Sequence, residues 1–147
     1  MRSKPMFKAV VLAASVMFFG GARAADSSYT PGSVWEFSEI KIEPGQFENY
    51  IDWLAGQWKQ IQEFEKKQGI IVSYHVLSVN DSRSGEPDLI LAVEYKDYIP
   101  NAARLAEQKR IEAMLSSDAH KMEAQSGERK QMRKVQGGME LQELILK

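Results

Sequence analysis

The sequence contains no cysteine and only two histidines in 147 residues. Without cysteine there is no disulfide staple, no thiol nucleophile and no thiolate-ligated metal. Stability must come from an ordinary core or from an oligomer interface. Phosphate-cradling glycine loops, nucleophile elbows and paired-histidine helix motifs are missing as well. No cofactor is called for by these residues. Long hydrophobic runs are scarce. The longest, "AVVLAASVMFF" from Ala9 to Phe19, spans eleven residues, well short of the roughly 20 needed to cross a bilayer. Arg2, Lys4 and Lys8 precede it, and Ala22-Arg23-Ala24 follows. Basic start, short apolar run and small-x-small end are the order of a secretory signal peptide, with cleavage expected before Ala25. Residues 1–24 are thus set apart, and no membrane anchor is expected after cleavage. A disulfide-free exported chain suits a bacterial periplasm.

A basic surface is also lacking. Arg2, Lys4, Lys8 and Arg23 are four of the 19 Lys and Arg residues, and none of the 20 Asp and Glu residues precedes Ala25. From Ala25 onward, 15 basic residues face 20 acidic ones. That balance argues against nucleic acid, whose phosphates need basic neutralisation.

The remaining residues are organised as one domain. Residues 25–33, "ADSSYTPGS", are polar and turn-rich and read as a flexible leader. Residues 34–147 form the domain. "VWEFSEIKI" (Val34 to Ile42) is a strand rich in β-branched and aromatic residues. Pro44-Gly45 turns the chain. Gln46 to Gln68 is an amphipathic helix. With Tyr50 at zero and about 100° per residue, Phe47, Ile51, Trp53, Leu54, Trp58, Ile61 and Phe64 fall in one broad arc. Gly69 ends the helix. Ile70 to Val79 and Leu89 to Lys96 are strands joined by the turn-forming loop Asn80 to Asp88. Ala102 to Leu115 is helical. Ser116-Ser117-Asp118 breaks it with a fresh N-cap, Asp118 to Val135 is a second helical piece, and Gly137-Gly138 leads to a last strand, Met139 to Lys147.

Strand–helix–strand–strand–helix–strand is the split pattern of the ferredoxin-like α+β fold, a four-stranded antiparallel sheet with helices on one face. Strands two and three are apolar on both faces, with Val72, Tyr74 and Val76 opposite Ile71, Leu77 and Val79. Helices cover one face of such a sheet. The other calls for a partner, and a second copy of the chain is the simplest.

This pattern from Val34 to Lys147 resembles the dimeric α+β barrel proteins, including the antibiotic-biosynthesis monooxygenase and NIPSNAP-like families. "VWEFSEIKIEPGQFENYIDW" is similar to their openings. The resemblance implies a homodimer joined through the sheets. It also implies a ligand site between each sheet and its own helices, and a cofactor-free monooxygenase-like enzyme or a non-catalytic binding module. Haem-degrading members carry an asparagine on the first strand. Here the first strand has none, and Asn49 lies on the helix, where solvent is expected.

Candidate chemistry is sparse. His75, beside Tyr74, could serve as a base or simply sit hydrogen-bonded at the sheet surface. Glu36 shares a face with Val34, Ser38 and Ile40, where burial would make it a proton acceptor; alternatively it is an exposed strand residue. Catalysis requires one of these two to face the pocket. Tyr50, Trp53, Trp58 and Tyr95 are the candidate walls for a small apolar or aromatic ligand, although such aromatics are core residues first. His120 and Glu123 stand at i, i+3, but two ligands do not make a metal site, and none is expected.

Overall fold

The computed structural model describes residues 27–147, so the signal peptide expected over residues 1–24 lies outside the described residues. Strand β1 is Tyr29–Ile42 and helix α1 is Phe47–Trp53. A five-residue π-helical segment, Leu54–Trp58, joins α1 to α2, Lys59–Lys67. Strands β2 (Ile71–Ser78) and β3 (Leu89–Tyr95), helices α3 (Asn101–Met114) and α4 (Ala119–Glu128), and strand β4 (Arg133–Leu146) complete the chain. The sheet order is β2-β3-β1-β4, antiparallel throughout. This is the ferredoxin-like arrangement that the element order implied.

Two glycines make the first crossover. Gly45 and Gly69 adopt φ of +75° and +72°, a left-handed conformation in which a Cβ is disfavoured. Between them the helix lays Tyr50 and Leu54 on Ile40, Leu89 and Leu91, which together form the buried core. Asp118 caps α4 by accepting a hydrogen bond from the Lys121 backbone N–H at 2.9 Å, as its sequence position suggested.

Two boundaries and the facing of one residue differ from the sequence reading. First, β1 begins at Tyr29, so the end of the expected leader is strand. Pro31 is tolerated because β3 pairs only from Val34 onward, leaving its missing N–H on an unpaired side. Second, β4 begins at Arg133, and Gly137-Gly138 lies inside it rather than before it. Pairing shifts there, with Glu39 opposite Gly137 but Ile40 opposite Val135. A Cβ on Gly138 would sit 2.9 Å from the Phe37 carbonyl oxygen. These glycines therefore mark a bulge and a close backbone approach, not a strand start. Third, a register shift between Ile71 and Ser73 turns Ile71 toward the helices, opposite Tyr95 and 3% exposed. It does not share the face of His75 and Leu77.

Candidate functional site

Alternation along β1 divides its side chains between two environments. Val34 and Ile40 are buried beneath the helices, and Glu36 lies half-buried between them on the same face. Trp35 and Phe37 project from the opposite, uncovered face. Cross-strand pairing then gathers like with like. Phe37 stands opposite Ala92, and Ala92 opposite His75.

On the helix-covered face, Tyr95 of β3 donates a hydrogen bond from its hydroxyl to Glu36 Oε2 at 3.4 Å. A cavity of about 210 Å³ opens beside Tyr95, lined by Glu65 of α2, Arg104 and Glu107 of α3, and the apolar Ile99 and Ile111. Glu65 and Glu107 are each 8% exposed. Burial holds the Glu65 proton, raising its pKa from 4.5 to about 7, and the nearby Glu107 and Glu36 carboxylates push in the same direction. Burial also raises the Tyr95 hydroxyl, with Glu36 and Glu65 adding to the effect. Glu107 Oε2 accepts from Arg110 Nε at 3.0 Å, whereas Glu107 Oε1 is buried without a hydrogen-bond partner. Arg104 is committed elsewhere, to Glu140 at 3.0 Å and to the Ile99 carbonyl.

Of the residues selected from sequence, Tyr95 lines this cavity, and Glu36 is joined to it through the Tyr95 hydroxyl. Tyr50, Trp53 and Trp58 do not line it. Tyr50 is buried and stacks on Trp53 with ring centroids 5.5 Å apart. The Arg129 guanidinium lies 4.3 Å over the Trp53 ring. Trp58 meets Tyr74 edge-on at 5.4 Å. Trp53 borders a separate cleft of about 420 Å³ with Gln57 and Arg129. His75 is on the other face of the sheet, exposed, with its ring 6.1 Å from Trp35. It borders an open apolar hollow of about 600 Å³ formed with Phe37, Leu77, Ala92 and Leu141. The sheet therefore separates His75 from Glu36. His120 and Glu123 border a wider cleft near α4, together with Lys130, Arg133 and Lys134. Such basic neighbours oppose cation binding.

Glu65 and Glu107 were not selected from sequence, yet both left a trace. On the wheel that places Tyr50 at zero, Glu65 falls at about 60°, inside the apolar arc. Glu107 stands four residues before Ile111, on the same side of its helix, while Leu105 points outward at 62% exposure. A carboxylate on the inside and a leucine on the outside break the local pattern, as functional sites often do.

No family model and no curated protein sequence matches the chain. Among solved structures, HapK from Hahella chejuensis superposes with a TM-score of 0.51 at 10% identity, over 75% of this chain and 91% of that one. A candidate monooxygenase from Shewanella loihica gives 0.41 at 12% identity, over 78% and 93%. A NIPSNAP family protein of unknown function from Agrobacterium tumefaciens gives 0.41 at 14% identity, over 79% and 90%. The chain has the ferredoxin-like α+β fold, which it shares with HapK. At such identities the likeness is one of fold.

Proposed function

We propose that this is an exported small-molecule protein of monooxygenase-like character, which binds its ligand between sheet and helices and takes a proton from it at Glu65. One observation carries the reading: Glu65 is nine-tenths buried at the cavity and titrates at about 7. A carboxyl balanced near neutral pH is matched to general-base work, because it is partly free to accept a proton and holds it well once accepted. Glu36 supports it from β1, where its Oε2 accepts the Tyr95 hydroxyl proton in a hydrogen bond that ties β3 to the same carboxyl cluster. His75, on the opposite face, has no part in this chemistry. Its place is at the seam of a homodimer. The uncovered face exposes Leu77, Met139 and Leu141 at 46%, 45% and 49%, and a second copy packed on it would remove them from water.

The test is a carboxyl titration of protein labelled with ¹³C at glutamate side chains, followed by NMR. One resonance should titrate with a midpoint near pH 7 and disappear in Glu65→Gln. If every carboxyl titrates below about pH 5, as ordinary carboxylates do, the chain has no base of this kind and is better described as a non-catalytic binding module.

A further inference from the structure

The cavity beneath the sheet has a pronounced charge character. Glu36 approaches from β1, Glu65 from α2 and Glu107 from α3, with Glu140 of β4 opposite Glu36 in the sheet. Against these four carboxyls stand two guanidiniums. Arg104 is held by Glu140 and by the Ile99 carbonyl, and Arg110 by Glu107 Oε2. Neither satisfies Glu107 Oε1, which is buried and unpartnered. No hydrogen bond offsets the burial of Glu65 among the described residues. The other donors on its lining are also committed, the Tyr95 hydroxyl to Glu36 and the Gln108 amide to Glu112, so the cavity has spare acceptor capacity in a negative potential. A buried carboxylate oxygen left unpaired is costly, and the missing donor must come from whatever fills the space.

We propose that the cavity selects a small organic cation, a primary ammonium on a short apolar body, whose N–H groups reach Glu107 Oε1 and the Glu65 carboxylate. The apolar part would lie against Ile70, Ile99, Ile111 and Met122, which line the rest of the space. Its volume of about 210 Å³ is below the usual range for drug-sized ligands, so the molecule is small. An anion is disfavoured by the carboxyls. A metal ion is not the natural occupant, since among the described residues no group of three or more His, Cys, Asp or Glu side chains is placed to hold one. An ammonium ligand would also compete with the proton on Glu65, coupling binding to pH.

This inference rests on the cavity being a ligand site, and the experiment separates the two ideas. Isothermal titration at pH 8 compares benzylamine, benzyl alcohol and benzoate on the full protein. Benzylamine should bind at one per chain, with benzyl alcohol at least about ten-fold weaker, as expected when a charge-assisted hydrogen bond is lost. Benzoate should not bind. Below pH 7 the benzylamine affinity should fall toward about ten-fold per pH unit as Glu65 takes its proton. Glu107→Gln should weaken benzylamine by at least about ten-fold while leaving a Glu65 carboxyl that still titrates and a native near-ultraviolet dichroism spectrum. Equal binding of benzyl alcohol, or any binding of benzoate, overturns the cation preference. So does failure of benzylamine to bind at millimolar concentration while Glu65 still titrates near pH 7, an outcome that leaves the proton-acceptor reading standing. Benzylamine binding without a neutral-pH carboxyl titration would support the cation site and remove the general base.

Discussion

Replacing Glu65 with glutamine should make the protein more stable above neutral pH and change little in acid. The sign follows from linkage. A carboxyl with an ordinary pKa of 4.5 is raised to about 7 in the folded chain, chiefly by burial, then by the Glu107 and Glu36 charges. Below pH 4.5 both states hold the proton and nothing is lost. Between 4.5 and 7 the unfolded state ionises while the folded state resists, so stability falls as pH rises. Above 7 the full cost is present. Raising a pKa from 4.5 to about 7 corresponds to about 3.4 kcal/mol at ~1.36 kcal/mol per unit. Water reaching the cavity screens part of this, and about 2 kcal/mol is the expected net effect. Glutamine keeps the shape of the protonated acid and cannot ionise. Urea unfolding at pH 4.5 and pH 8, followed by tryptophan fluorescence at one protein concentration, reads the difference. The variant's midpoint should match the parent's at pH 4.5 and exceed it by about 1 M at pH 8, for a slope of about 2 kcal/mol per M. A gap that is the same at both pH values, or a variant less stable at pH 8, refutes the reasoning. Either would mean that Glu65 is not held protonated by its surroundings.

The assembly and the bulge give two further expectations. Light scattering should report twice the mass of the processed chain for the parent and a monomer for Leu141→Glu, since Leu141 lies on the uncovered apolar face at 49% exposure; a parent that is already monomeric removes the homodimer. Gly138→Ala should cost about 1–3 kcal/mol in urea unfolding, because the new methyl would meet the Phe37 carbonyl at 2.9 Å. Gly137→Ala, with only the end of the Glu39 side chain at 3.4 Å, should cost less than half as much, and the reverse order would show that the strand repacks.

Much of the architecture was open to sequence reasoning because it is carried by period and punctuation. β1 alternates, the first helix repeats with helical spacing, and Gly45 and Gly69 sit where left-handed turns are needed. What escaped was set by long-range pairing. The extension of β1 back to Tyr29 exists because Leu144 and Leu146 are there to pair with it, and nothing local announces that. Gly137-Gly138 looks like a stop until Phe37 is placed beside it. The site divided in the same way. Glu36 could be chosen from alternation, because it shares a strand face with Val34 and Ile40, whereas Tyr95 sits on a strand apolar on both faces and is placed only by its pairing opposite Val34. Glu107 acquires its meaning from an unpaired oxygen against a cavity, a fact of three-dimensional packing.

Glu65 stood inside the apolar arc even on an unbroken wheel, and the π-helical segment Leu54–Trp58 decides how it shares that arc with its neighbours. A wheel advancing about 100° per residue assumes an unbroken α-helix. A π segment accommodates about one extra residue, so everything after it lags by roughly that angle. With this allowance, the buried residues Tyr50, Leu54, Gln62 and Glu65 fall within about 80° of one another, against about 120° on the unbroken wheel. Ile61, central on that wheel, and Phe64, nearer its margin, are pushed aside and are only half-buried. The wide turn therefore gathers Gln62 and Glu65 with Tyr50 and Leu54 and moves Ile61 and Phe64 off that face, which is costly for a core and useful for a site. Deleting Gly56, which is exposed and has nothing within 4 Å of where its Cβ would be, should close the turn into ordinary α-helix. The later residues should then keep their aim. The deletion protein should fold, and the pH-dependent gap between it and its own Glu65→Gln derivative should persist. Inserting an alanine after Gly56 should instead rotate α2 by about 100° and abolish the gap. If the deletion erases the gap as completely as the insertion does, the π segment is not what sets the direction of Glu65.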